Sequence, residues 1–280
     1  MNKILACLDA SDYAPSVVDM ASWIASRSGA SVELLHVVQR DDAVAARHDL
    51  SGAVGLGAKS KLLEELAALD EQRTRLQREQ GQEILREAGL RLAESGIDEV
   101  TSTHRHGGVL ETIIEREAEA ELVLIGKRGE SSEYAKGHLG SQVERVIRES
   151  DRPVLVVHRE PREVKRAFLC FDDGDTAWRA VDFAANSPVM KGVELTVAMS
   201  GHKKAANQGV LERVQERLPN ATVRHIEGVP DSVLPPAWQA IETDLVLMGA
   251  YGHSPLRRWI IGSTTTMLLR TAKVPVLVFR

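Results

Sequence analysis

Cysteine is scarce in this chain: Cys7 and Cys170 are the only two among 280 residues. Two cysteines cannot build a disulfide framework or a four-cysteine zinc site. Long apolar runs are also missing, and none approaches the roughly 20 residues that span a bilayer. Met1-Asn2-Lys3 leads into a short apolar run, Ile4 to Leu8, that stops at Asp9 with no cleavage site behind it. That run is too short for a secretory leader core, so a cytoplasmic location is expected. Neither sign of charge dominates: 35 Lys and Arg meet 40 Asp and Glu, a net charge of −5. This balance gives no electrostatic reason to expect nucleic acid or an anionic membrane as the main partner. An apolar fraction of 43% with 27% charged residues excludes a mostly disordered chain.

What is present is repetition. Leu5-Ala6-Cys7-Leu8-Asp9 returns as Leu169-Cys170-Phe171-Asp172, with the cysteines in register. Leu122-Val123-Leu124-Ile125-Gly126 returns as Leu245-Val246-Leu247-Met248-Gly249, and Pro153-Val154-Leu155-Val156-Val157 as Pro275-Val276-Leu277-Val278-Phe279. Asp9 and Asp172 are 163 residues apart but Gly126 and Gly249 only 123, so the first copy carries 40 extra residues between those landmarks. The spacing predicts two domains, 1–160 and 161–280, with an insertion at about 40–96 in the first. The polar stretch 158–165, with Pro161, reads as the linker.

Each copy alternates short apolar runs with helical patterns. The runs predict strands at 3–8, 32–38, 100–104, 122–125 and 154–157, then at 166–171, 194–198, 222–226, 245–248 and 276–279. Helices are predicted at 14–28, 58–94, 109–119 and 140–149. Continuous apolar strands suit a parallel sheet covered on both faces, and the alternation implies doubly wound α/β domains. Residues 41–57 read as a loop. Leu62, Leu63, Leu66 and Leu69 form an apolar stripe at helical spacing amid a solvated Glu, Arg and Gln surface.

Ligands of such sheets bind beyond the carboxyl ends of the strands. There the second copy has Gly249-Ala250-Tyr251-Gly252, then nine residues, then Gly262-Ser263-Thr264, a G-x2-G-x9-G-S pattern. Glycines allow close backbone approach, and a helix opening at Ser263 offers unpaired N–H groups and a positive dipole end to phosphate. Arg257 and Arg258 would add charge-assisted bonds. The same residues also suit a plain strand end and helix cap. Neither G-x4-G-K-[ST] nor a G-x-G-x-x-G after strand one is present, and no nucleophile–base pair announces a hydrolase.

The aspartate after strand one, the G-x2-G-x9-G-S loop and the final Pro-Val-Leu-Val-Phe run resemble the universal stress protein family, over essentially the whole chain as two fused copies. The resemblance implies two Rossmann-like domains of the adenine nucleotide alpha hydrolase-like kind, each with a five-stranded parallel sheet. It also implies ATP or a related adenine nucleotide as ligand, with magnesium accompanying it. Many members bind one, and others lack the motif. Carried over, the second-copy site is Asp172 near the adenosine, Ala198 and Met199 at the adenine, Met248 and Gly249 beside the ribose, and Gly252, Gly262, Ser263 and Thr264 at the phosphates. Two departures are Gly174, where the first copy has Ser11, and Pro235-Pro236, expected to shorten or displace a helix. The first copy offers Asp9, Val37, Val38, Gly126, Gly129, Gly140 and Ser141, but ten residues separate its last two loop glycines. Glu130 and Glu133 in that loop would repel phosphate, with Lys127, Arg128 and Lys136 to offset them. The second copy is therefore expected to be the main site.

Other residues admit rival roles. His104 and His106 could ligate zinc or be surface histidines; no spaced Cys, Asp or Glu completes a site, and no metal site is assigned. His253 could donate to a phosphate. Cys7 and Cys170 read as matched core positions. Trp259 suits a cover for the nucleotide or a packing contact. The final strands, 154–157 and 276–279, are edge candidates expected to join the copies into a pseudo-symmetric dimer within the chain, which can itself dimerise. The expected function is stress response through a bound adenine nucleotide, whose binding shifts the surface shown to an unidentified protein partner. The alternatives are a nucleotide-independent scaffold and a slow ATPase.

Overall fold

Runs of Val, Leu and Ile buried on both faces build the centre of the molecule. Ile4, Leu5 and Ala6 are fully buried, as are Val123, Leu124, Val246 and Leu247. The computed structural model describes residues 1–39, 56–129, 139–202, 204–250 and 263–280. The first copy contains β1 (Lys3–Leu8), α1 (Ala14–Ser28), β2 (Ser31–Gln39), α2 (Leu56–Glu94), β3 (Val100–Gly107), α3 (Val109–Glu117), β4 (Leu122–Gly126), α4 (Ser141–Glu149) and β5 (Val154–Val157). The second contains β6 (Arg166–Phe171), α5 (Asp175–Asn186), a 3-10 turn (Pro188–Met190), β7 (Glu194–Ser200), α6 (Lys204–Arg217), β8 (Thr222–Ile226), α7 (Pro230–Ala240), β9 (Leu245–Gly249), α8 (Ser263–Thr271) and β10 (Val276–Phe279).

Each copy contributes five parallel strands, and the final strands join the two sets. One ten-stranded mixed sheet runs β3-β2-β1-β4-β5-β10-β9-β6-β7-β8. Each half is parallel, and the halves meet antiparallel, Leu155 opposite Leu277 and Val156 opposite Val276. Two short apolar edges are removed by pairing them with each other, which also removes the exposed N–H and C=O rows an edge presents. The antiparallel join sets the carboxyl ends of β1, β2 and β4 at one end of the sheet and those of β6, β7 and β9 at the other.

Equivalent helices lie on the same face. Val17 and Ile24 of α1 and Leu85 and Leu92 of α2 share one core with Ala177 and Val181 of α5. Ile113 of α3 and Ile147 of α4 share the other with Trp238 of α7 and Leu269 of α8. Pro235 and Pro236 do not break α7, which runs through both. Burial of Leu234, Pro235 and Trp238 holds it there against the cost of the missing bonds.

Helix α2 accounts for most of the extra length of the first copy. Its 39 residues make a rod about 58 Å long at 1.5 Å per residue. Its last third packs on the sheet through Leu85, Ala88 and Leu92. Of the predicted stripe, Leu69 is 60% exposed, while the side chains of Leu62, Leu63 and Leu66 lie outside those described; Leu76, on the same helix, is 65% exposed. Among the described residues no helix is long and apolar enough to cross a membrane.

Candidate functional site

In each half the first strand lies between its second and fourth, so crevices open where the chain reverses its direction of winding. In the first copy this crevice is a cavity of about 470 Å³. Asp9, Val37, Val38, Gly126, Gly129 and Gly140 all line it, brought together from β1, β2, β4 and the start of α4. Its floor is Cys7, Leu35 and Ile125, one row across three strands. Ser141 is the first residue of α4, whose amino end opens at Gly140.

Local chemistry fixes this constellation. The Asp9 carboxylate accepts from the Ser11 hydroxyl at 2.5 Å and the Ser11 N–H at 3.2 Å, which holds the turn after β1. Gly129 comes so close that a β-carbon there would stand 2.8 Å from Asp9 Oδ2. Gln142 lines the same cavity, and its buried Oε1 has no hydrogen-bond partner. Burial drives the Cys7 thiol well above its usual range, so it stays a neutral part of the floor.

Lys127 corrects an expectation. It was set against the loop's acidic residues, but its ammonium is turned away to the second copy, donating to the carbonyls of Arg270 at 3.1 Å and Ala272 at 2.5 Å. Burial, with Arg128 nearby, brings its pKa down to about 8. Arg128 lines the cavity. Glu130, Glu133 and Lys136 lie outside the described residues.

Sequence reasoning missed four residues that line the cavity. Arg73, Gln77 and Gln80 of α2 line the cavity from above; their spacing of four and three puts them on one helix face, the available signal. His36 also lines it. The register sets His36 beside His104, with ring centroids 5.1 Å apart, and His106 lies 5.4 Å from His104. Burial first, then the neighbouring His104, pushes the His36 pKa down to about 4. The first pair is stacked rather than convergent, and among the described residues no group of three His, Cys, Asp or Glu is arranged to hold a metal.

In the second copy Asp172 follows β6 and accepts from the Gly174 N–H at 3.1 Å, so the turn survives without the serine hydroxyl. Cys170 is flanked by Ala198 and Met248 and Phe171 by Met199, which gathers Asp172, Ala198, Met199, Met248 and Gly249 at one strand end. At Gly249 a β-carbon would lie 2.3 Å from Thr176 Oγ1, so that approach requires glycine. Ser263 opens α8, and Thr264 is exposed in its first turn. Gly252, Gly262, His253, Arg257, Arg258 and Trp259 lie outside the described residues. The floor row differs from the first copy: Arg224 stands where Thr103 does, its guanidinium 5.9 Å from the centre of the Phe168 ring.

Two parallel α/β halves, each with its first strand between its second and fourth, define a tandem doubly wound protein. The family model described as universal stress protein family matches residues 1–158 and 198–280. Universal stress protein Slr1230 of Synechocystis sp. is 31% identical over 287 residues, covering 100% of both chains. A universal stress protein crystal structure from Archaeoglobus fulgidus shares the fold with a TM-score of 0.68 at 21% identity, covering 100% of this chain and 96% of that one. A functionally unknown protein from Pseudomonas aeruginosa follows at 0.64 and 17%, covering 100% and 92%. The chain belongs to the universal stress protein family.

Proposed function

We propose that this chain binds an adenine nucleotide, ATP with magnesium, and acts in the cytoplasm as a stress-response sensor or regulator. The observation that carries the reading is the first-copy cavity. Its roughly 470 Å³ lies within the range of small-molecule sites, and six of the seven residues named for that copy line it. Apolar floor residues suit a base, while the amino end of α4 beyond Gly140 suits phosphate. Gln142 Oε1, buried and unpartnered, supplies an acceptor awaiting a donor. This weight falls on the first copy, where the sequence had favoured the second. The second remains a site in this reading, through Asp172, Ala198, Met199, Met248, Gly249, Ser263 and Thr264, with Gly252 and Gly262.

The chain's own residues orient and hold the ligand, and any ATP turnover is slow and incidental to signalling. The test is to denature protein purified without added nucleotide and quantify the adenine nucleotide released, then titrate ATP and magnesium into stripped protein. One or two equivalents are expected, with Gly140→Asp removing first-copy binding. No nucleotide released and none bound would overturn the reading. One observation favours a partner-binding scaffold: Leu69 and Leu76 project from the free part of α2. In that case ATP would leave the melting temperature unchanged.

A further inference from the structure

Lys127 follows Gly126 at the rim of the first cavity, and its backbone is fastened twice. Its N–H donates to the Val157 carbonyl at 2.9 Å, and its carbonyl accepts from the N–H of Gly140, at the head of α4, at 3.2 Å. Its side chain crosses to the other copy and holds the carbonyls of Arg270 and Ala272 at the tail of α8. The head of α8, Ser263 and Thr264, belongs to the second site. The second copy answers in kind. Arg280 follows Phe279, which pairs with Gly249, and its Nη1 donates to the Ser150 carbonyl at the tail of α4 at 2.9 Å.

Antiparallel joining makes this geometry. Each copy's last helix starts at its own site and ends near the other copy's. A cation at a helix tail meets unpaired carbonyls and the negative end of the dipole. Symmetry alone does not supply these cations, since the counterpart of Lys127 is Ala250 and the counterpart of Arg280 is His158. Lys127 is 8% exposed, so its contacts are made out of water, where they are least screened.

We propose that Lys127 and Arg280 are positioning residues that make the two ligand sites interdependent, Lys127 tying the end of β4 at the first site to the tail of α8, and Arg280 tying the end of β10, beside Gly249 of the second site, to the tail of α4. This rests on the nucleotide reading above. A ligand that fixes the strand end at Gly126 and Lys127 also fixes the tail of α8, and by linkage a ligand at the head of α8 favours the first site equally.

The experiment is calorimetric titration of ATP with magnesium into the full chain. Gly140→Asp blocks the first site and Gly262→Asp the second. Blocking one site is expected to weaken binding at the other by about fivefold or more. In a Lys127→Met background, Gly140→Asp should change second-site affinity less than about twofold, within the scatter of uncoupled sites. Arg280→Met tests the reciprocal arm. Independent sites in the parent chain, or equal effects of the block with and without Lys127 and Arg280, would overturn the proposal. A parent that binds at only one site overturns it too. A parent that binds no nucleotide overturns the functional reading itself, a result distinct from two independent sites.

Discussion

Gly81 of α2 lies directly against the imidazole of His36: a β-carbon on Gly81 would stand 2.5 Å from Nδ1, and as close to the ring of His104. Both rings are hemmed in by the sheet. Gly81→Ala should therefore cost stability, about 1–3 kcal/mol for overpacking against a gain of up to about 1 kcal/mol in helix propensity. Gly89, on the same helix with nothing within 4 Å of its would-be β-carbon, is the control. Gly89→Ala should stabilise by about 0.5–1 kcal/mol. Urea unfolding of the two variants checks whether the signs are opposite.

His36 also sets a pH dependence. Its pKa falls from 6.5 unfolded to about 4 folded, so the folded state resists its protonation. Its contribution is complete above pH 6.5 and declines as pH falls toward 4. Linkage gives a loss of about 2 kcal/mol between pH 8 and pH 5. Unfolding at those two pH values should show it, and His36→Gln should flatten the difference. Glu33 acts in a lower window: its loss would come between pH 4.5 and about 2.

The side chain of Glu33, a residue of β2, is fully buried. Burial would raise its pKa, but bonds from Arg116, Lys3 and Thr103 bring it down to about 2. Arg116 donates from Nε at 2.7 Å and Nη2 at 2.9 Å, and Lys3 Nζ lies 2.6 Å away. Arg116→Met removes the two-bond partner of a buried charge that Lys3 still pairs, and should destabilise by less than the about 3–5 kcal/mol of a fully unpaired buried carboxylate. Glu33→Leu combined with Arg116→Met should cost less than Arg116→Met alone. A double-mutant cycle by denaturant unfolding measures this, and additive costs would contradict it.

Gly129→Ala probes the first site. The new methyl group would press on Asp9 Oδ2, which the Ser11 hydroxyl holds in place. ATP affinity at that site should fall about tenfold, equivalent to about 1.4 kcal/mol. Calorimetry in a Gly262→Asp background isolates the effect.

Much of this was legible from residues alone. The strands announced themselves because Leu122-Val123-Leu124-Ile125 and its repeat must be buried on both faces, and glycines at strand ends marked the crevices. Most long-range partners were not legible. Val154–Val157 and Val276–Phe279 read as edges expected to join the copies, and they pair, but edge character does not give their register. Arg73, Gln77 and Gln80 looked like part of a solvated helix face, because nothing local tells which polar side of a long helix overhangs a cavity. Lys127 read as an offset to Glu130 and Glu133, since its carbonyl partners lie more than 140 residues away. His36 became a neighbour of His104 only through strand register.

The central join has a further consequence. Three residue pairs of β5 and β10 are matched across it, and the covalent link between the halves is a short stretch without helix or strand around Glu160, Pro161 and Arg162. That link works as a tether, raising the effective concentration of each half at the other to about the millimolar range of short connections. What would be a dissociable pair at dilute concentration becomes a unimolecular docking step, so the union of the halves no longer depends on how much protein the cell makes.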